Sequence, residues 1–568
     1  MSNFVKLYTK EGEQLKGQPL SEYPRPLLKR DSYICLNGQW DFAVTKNADT
    51  APVFDRTILV PFSPECMLSG IDEVFSQDSV IWYRTQFSLP LEFVKQRVIL
   101  HFGAVDQQTK VYLNDSLIGE HSGGYSHFEF DITDYLQSNN TLTVRVVDRL
   151  DEHVFPYGKQ CRKRGGMWYT PTSGIWQTVW LESVEEKYIH SIKIDTGSDW
   201  AKISVLGIDE GEVTVKTPTG DVSVPLNGGV ADIKLENPRM WCPDDPYLYR
   251  FQITCPTDKI ESYFALRTLE IKQVNGIPRL CLNGKPYFFH GLLDQGYYSD
   301  GLLTPASLKN YEQDILYAKK LHFNMLRKHI KVEPEIFYYA CDRLGMIVFQ
   351  DMVNNGHYSF IRDTALPTVG LLHLNDRLLH RNKATRKQFY TEMEQTVQQL
   401  YNHPCICYWT IFNEGWGQFC STEAYHRLRK LDSSRFIDSA SGWFMGGDTD
   451  VYSRHIYFKK VKLSKNKKPM VLSEFGGYSY KPEGHVFNTD QTYGYGKYND
   501  RKEFVKALRE LYSEQVVPLV EKGLCAAVYT QVSDVEDETN GLISFDRRFE
   551  KVLPEEFVDI SNKLYESI

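Results

Sequence analysis

Two glutamates in this chain are placed to share one reaction. Glu414 closes the run "CICYWTIFNEGWGQF", in which Cys405, Ile406, Cys407, Tyr408, Trp409, Ile411 and Phe412 are apolar before Asn413 and Glu414 arrive together. Glu474 closes "KPMVLSEFGGYS" in the same way. Two carboxylates at one site cannot comfortably ionise together, so one is pushed toward a raised pKa and donates a proton while the other stays anionic and attacks. That division of labour cleaves glycosidic bonds. In a retaining mechanism the carboxyl groups stand about 5–5.5 Å apart, one forming a glycosyl ester and the other acting first as acid and then as base. The reading is Glu414 as acid/base and Glu474 as nucleophile. A lone strand-end glutamate more often caps a helix or pairs with arginine, but two such ends are jointly specific.

Bringing them together takes a barrel. Beyond "LNGKPYFFHG" the segments "FNMLRKH", "MIVFQDM", "CICYWTIFNE", "RFIDSAS", "VYSRHIYF", "MVLSEFGG" and "LCAAVYTQVSD" alternate with amphipathic runs such as "QFYTEMEQTVQQLYNH". With the strand at Phe288 they make eight, which predicts a (β/α)₈ (TIM) barrel over residues 271–568, with chemistry where its strands end. Glu414 then ends strand four and Glu474 strand seven, and both face one mouth. Upstream, period-two alternation and turn signals in "VILHFGAVDQQTKVYLNDSLIGEHSGGYSHFEFDIT" and "TLTVRVVD" predict a jelly-roll-like β-sandwich over residues 1–185. Residues 186–270 ("KISVLGI", "GEVTVKTP", "ADIKLE", "YRFQITC") predict a smaller, immunoglobulin-like sandwich.

With 568 residues the chain exceeds what one core usually supports. A net charge of -8 over that length offers no basic patch, so neither nucleic acid nor a membrane surface is an expected partner. Aromatics reach 13%, which suits flat sugar faces, although most such rings fill cores. "MSNFVKLYTKEGEQLKGQPL" lacks the apolar core of a signal peptide, and no apolar stretch is long enough to span a bilayer, so a cytoplasmic protein is expected. Eleven scattered cysteines fit a reducing compartment, and Cys405 and Cys407 read as small core residues. No cofactor or metal ligand set is expected, and a homo-oligomer is compatible with everything above.

"TIFNEGWGQF" and "VLSEFGG" resemble the acid/base and nucleophile motifs of glycoside hydrolase family 2, whose members include β-galactosidases, β-glucuronidases and β-mannosidases. The resemblance runs nearly the whole chain, since "YICLNGQWDF", "VDQQTKVYLND" and "WYTPTSGIWQTVWLE" are similar to the family's N-terminal sugar-binding-type sandwich. It implies the same roles for Glu414 and Glu474. It further implies that Asn413 hydrogen-bonds the substrate 2-hydroxyl, that Arg327 at the end of strand two supports the nucleophile, and that Tyr457 lies near it. Other strand ends supply weaker candidates. Lys328 and His329 reach substrate or salt-bridge locally; Asp351 binds a sugar hydroxyl or forms an ion pair; His455 stands beside Tyr457 on strand six. Trp416 and Trp443 stack on a sugar face or close the barrel top, and Asp294, Gln295 and Tyr297 shape the pocket after strand one.

The glycone is less legible. The β-glucuronidases of the family carry an Asn-x-Lys element after the last barrel strand, whereas this chain has "QVSDVEDETNGLISFDRR" there, and its Asn466–Lys468 falls in a charged loop before strand seven. Asp534, Glu536, Asp537 and Glu538 would oppose an anionic sugar. The expectation is a retaining exo-β-glycosidase acting on terminal neutral sugars, β-galactoside-type or related, without a magnesium site. The alternatives are a β-glucuronidase or amino-sugar hydrolase with the same pair, or a catalytically silent carbohydrate-binding protein. The segment "HVFPYGKQCRKRGGMWYTP" either lends a loop to the barrel mouth or is a surface connection with solvated Arg162, Lys163 and Arg164.

Overall fold

Apolar segments buried on both faces, each followed by a polar turn and an amphipathic helix, close into a parallel barrel, because only a sheet covered on both sides tolerates such continuous hydrophobicity. A computed structural model describes residues 4–47, 50–371, 375–457, 459–463 and 466–568. Its barrel strands one to eight are Phe289–Asp294, Met325–Lys328, Ile347–Asp351, Ile406–Thr410, Phe436–Asp438, Tyr452–Ile456, Met470–Gly476 and Leu524–Thr530. Hydrogen bonding runs from strand five back to strand one, then on through eight and seven to six. The register brings strand ends level: Asp294 pairs with Lys328, Asp351 with Thr410, and His455 with Glu474.

Helices Leu308–Lys320, Glu335–Leu344, Lys383–Leu400, Ser421–Leu431 and Arg501–Leu511 pack around this sheet. Three of the five start with side-chain caps. Ser307 and Asn310 form a capping box, Asn382 accepts from the amides of Ala384 and Thr385, and Asp500 from those of Lys502 and Glu503.

The N-terminal unit is a sandwich of a four-stranded and a six-stranded antiparallel sheet, closed by Val179–Val184. Trp40, Phe42, Leu100, Val111 and Val144 fill the space between them. The second β unit runs from Ser191–Thr196 to Lys259–Phe264 as one seven-stranded ladder. Its two halves meet in hydrogen bonding only at Asn227 and Val230, yet Ile203 and Ile233 of one half share a core with Val213 and Phe251 of the other. In packing it is a sandwich. A three-stranded hairpin sheet, Leu269–Val274, Ile277–Leu282 and Lys285–Pro286, leads into the barrel.

Buried polar contacts fix these units to one another. Thr304 Oγ1 of the barrel donates to the Trp176 carbonyl of the first sandwich (2.6 Å). Trp241 Nε1 and Tyr263 OH of the second donate to the Asp342 carbonyl and carboxylate, each at 2.8 Å. Cys407 in strand four and Cys405 just before it are fully buried free thiols.

Candidate active site

The two glutamates reach the barrel mouth by different backbone routes. Strand four ends at Thr410, and the chain then leans on its neighbour: Ile411 N donates to Asp438 O (2.9 Å) and Glu414 N to Ser441 O (3.0 Å). There it turns sharply. Glu414 has φ +53 and Gly415 φ +76, and a Cβ at Gly415 would lie 2.5 Å from the Phe444 ring. A non-glycine residue held left-handed costs about 1–3 kcal/mol and persists only where its surroundings over-determine it. Glu474, by contrast, sits within strand seven itself, Met470–Gly476, every residue of which is buried.

One Glu414 carboxylate oxygen and one of Glu474 lie within 4.8 Å of each other and of a His455 ring nitrogen. This proximity is of the order that a retaining pair needs. Their partners differ. Glu474 Oε1 accepts from Arg327 Nη1 (2.9 Å), and its Oε2 accepts from Tyr457 OH. Burial, followed by the Glu474 charge, pushes the Tyr457 phenol far above its usual range, so it stays a donor. Glu414 Oε1 faces His455 Nδ1 at 2.8 Å. Burial raises the Glu414 carboxyl to about 7 against the opposing charges of Lys159, His329 and Arg327, while burial lowers His455 to about 3, leaving it neutral. Arg327 Nη1, which can only donate, lies 3.3 Å from His455 Nε2. His455 therefore carries its proton on Nδ1 and donates it to Glu414.

Arg327 organises the rest. Its fully buried guanidinium spends Nε on Asp351 Oδ1 (3.0 Å) and Nη2 on Asn413 Oδ1 (2.8 Å). Because the amide oxygen faces Arg327, Asn413 Nδ2 is left buried without a partner. Such an orphan donor is what a substrate hydroxyl would satisfy.

The remaining candidates divide. Asp351 is committed to an ion pair with Arg327 and a hydrogen bond with His329 Nδ1 (2.8 Å), so it holds these two in place. Asp294 is likewise taken by Lys328 Nζ (2.6 Å) and the Gly296 amide (2.9 Å), with Glu333 completing the Lys328 shell at 2.9 Å. Trp443 is half-buried; its Nε1 donates to the Glu414 carbonyl (2.9 Å) and its ring lies 5.5 Å from His455. Trp416 is buried and stacks at 5.3 Å on Trp168 of the first sandwich. Tyr457 stacks on Tyr495 at 4.1 Å.

Residues without a sequence signal join them. Ser441, bonded to His455 Nε2 at 3.1 Å, comes from the turn after strand five. Lys159 and Trp168 come from the loop of the first sandwich, which crosses to the barrel mouth. Only the aromatic and basic character of that segment hinted at this. Its arginines are not solvated: Arg164 pairs with Glu536 (2.6 Å) and Asp537 (2.8 Å), and Arg162 with Asp151 (3.3 Å), while Lys163 is exposed. The four strand-eight acids are correspondingly compensated, with Lys551 on Asp534 (2.6 Å) and Lys159 near Glu538 (3.8 Å). They do not form the free negative wall that the sequence suggested.

Comparison with known proteins places this geometry. Residues 71–208 match the family model for the glycosyl hydrolase 2 galactose-binding domain-like unit, residues 190–267 that for glycosyl hydrolases family 2, and residues 273–553 that for the family 2 TIM barrel domain. A beta-galactosidase of Thermoanaerobacter pseudethanolicus is 26% identical over 444 residues, covering 72% of this chain and 55% of that protein. The beta-glucuronidase of Felis catus is 24% identical over 487 residues, covering 75% and 70%. The chain spans about half the length of the first curated relatives it matches, 55% and 50%. Among solved structures, a beta-galacturonidase from Eisenbergiella tayi superposes with TM-score 0.69 at 19% identity over 95% of this chain and 98% of that one. A beta-D-glucuronidase of Dictyoglomus thermophilum gives 0.71 at 17% over 96% and 98%. At these identities the structural likeness is one of fold. Among the described residues no helix is long and apolar enough to cross a membrane.

Proposed function

The chain belongs to glycoside hydrolase family 2, and on that premise we propose that it is a retaining exo-β-glycosidase that forms a glycosyl ester on Glu474 and releases one terminal sugar. The observation that carries this reading is the unequal environment of two carboxylates within 4.8 Å of each other. Glu414, raised to about 7 by burial, holds a proton near neutrality and gives it to the departing glycosidic oxygen. Glu474, bonded by Arg327 and Tyr457, is poised as the anion that attacks the anomeric carbon. Asn413 Nδ2 donates to the 2-hydroxyl, a contact that strengthens as positive charge develops on the ring. In the second half-reaction Glu414, now ionised, takes a proton from water as it opens the ester.

His455 has a different task from the one its position first suggests. Its Nδ1–H supports the ionised form of Glu414 that the second step requires. The exo mode is supported by the sandwich loop, whose Trp168 stacks on Trp416, two residues beyond Glu414. The relatives' names carry two glycone classes, β-galactosides and β-hexuronides.

The test is hydrolysis of p-nitrophenyl β-galactoside, β-glucoside, β-mannoside, β-glucuronide and β-galacturonide by wild type and Glu474→Ala, with the first-formed anomer followed by proton NMR. Cleavage with retention, lost in the variant, supports the proposal. Inversion, or activity that survives Glu474→Ala, contradicts it.

A further inference from the structure

We propose that Lys159 of the sandwich loop is the specificity-determining residue of this site and recognises a carboxylate on the sugar, so that the glycone is a hexuronic acid. This rests on the glycosidase reading above and adds to it a residue outside the barrel.

Lys159 is 6% exposed, yet its ammonium has no hydrogen-bond acceptor within reach among the described residues. Its one ionic neighbour, Glu538 Oε1, stands at 3.8 Å, and Glu538 also receives Gln531 Nε2 at 2.8 Å on its other oxygen. The rings of Tyr169 and Trp416 lie 5.5 and 6.0 Å from Nζ. The other deeply buried lysines around the barrel mouth are fully engaged. Lys328 contacts Asp294 and Glu333; Lys331 contacts Glu333 (2.7 Å) and the carbonyls of Gly296 and Leu303; Lys551 contacts Asp534 and the carbonyls of Tyr480 and Thr539. An ammonium presents three donors, and here none of them is spent on a hydrogen bond among the described residues, so they are open to a ligand's acceptors.

The place of this charge decides what the ligand is. Its Nζ lies 6.0 Å from the ring of Trp416, two residues beyond Glu414, and its charge opposes the rise of the Glu414 carboxyl, so it borders the catalytic pocket. The loop delivers it rigidly: Tyr157 OH donates to Gly356 O (2.8 Å), Tyr157 N to Asn354 O (3.0 Å), and Gln160 Nε2 to Asp106 Oδ2 (3.1 Å). A sugar hydroxyl could accept a hydrogen bond but would leave the charge balanced only by Glu538 at 3.8 Å, whereas a carboxylate supplies both acceptors and charge in direct contact. The strand-eight acids raise no barrier, because Arg164 and Lys551 hold Glu536, Asp537 and Asp534. The Asn466–Lys468 alternative is closed, since Lys468 Nζ donates to Thr449 O at 2.7 Å.

The experiment compares wild type, Lys159→Met, Lys159→Gln and Lys159→Arg on p-nitrophenyl β-glucuronide, β-galacturonide and β-galactoside, with thermal melts to show that each variant folds. Wild type should prefer one of the uronides. The ratio of its kcat/KM to that of the galactoside should fall about 10–100-fold in Lys159→Met and Lys159→Gln, chiefly through KM, and recover partly in Lys159→Arg. Competitive inhibition of wild type by free glucuronate or galacturonate should exceed that by galactose and weaken in parallel. A wild-type preference for the galactoside, or an equal loss on all three substrates, overturns the role of Lys159 while leaving the glycosidase reading standing. Failure to cleave any glycoside overturns both.

Discussion

The ends of barrel strands four and seven carry the same residue in opposite surroundings. Glu474 remains within a wholly buried strand and meets a guanidinium and a phenol, both donors. Glu414 lies past its strand, in a left-handed turn, and meets one neutral imidazole in a desolvated corner. A carboxylate with donors stays an anion, and one stripped of water without a cation in contact keeps its proton. The roles are set by what the neighbouring strands bring alongside, since Arg327 comes from strand two and both His455 and Tyr457 from strand six or just beyond its end.

Removing the anion altogether is the largest perturbation of this contrast. Glu474→Ala should lower kcat on the best substrate by ~10⁴-fold or more, about 5.4 kcal/mol of transition-state stabilisation, measured in steady-state assays. Glu414→Gln should cost ~10²–10⁴-fold on alkyl glycosides and far less on activated aryl glycosides, which need no protonation of the leaving group. Wild-type kcat/KM should fall as pH rises through about 7, where Glu414 loses its proton, and this limb should vanish in Glu414→Gln. Stability follows the same sign. The folded value of about 7 lies above the usual 4.5, so this contribution is complete below 4.5 and lost as pH rises through 7. Melting curves of wild type and Glu414→Gln should therefore diverge between those limits in favour of the variant at the alkaline end.

Finer changes sharpen the contrast. Tyr457→Phe removes one of the two donors to Glu474 and should lower kcat ~10–100-fold with little change in KM, as measured in single-turnover and steady-state assays. His455→Phe has the subtlest signature. Loss of the Nδ1–H that supports ionised Glu414 should move the alkaline limb of the pH profile upward, by about one unit or less. A downward shift would mean that His455 stabilises the protonated form instead.

The barrel was legible because its strands are buried on both faces, which leaves unbroken apolar runs such as "CICYWTIF" that only a covered parallel sheet explains. The two glutamates were legible because each breaks such a run at its end. What stayed hidden depends on register and on distant chain. Asp294 read as shaping the pocket and Asp351 as a sugar ligand or half of an ion pair, since nothing local shows that adjacent strands set Lys328 beside one and Arg327 and His329 beside the other. Three of the four strand-eight acids read as free charge because their partners, Arg164 and Lys159, belong to another domain. The special status of Lys159 has no sequence signal at all, because it consists of acceptors that are missing around it.

The most direct measurement is covalent trapping with the 2-deoxy-2-fluoroglycosyl fluoride of the sugar cleaved fastest, followed by peptide mass mapping. The account predicts one adduct per chain on the peptide containing Glu474, formed in wild type and absent in Glu474→Ala. An adduct on Glu414, or inactivation without any ester on Glu474, would contradict it.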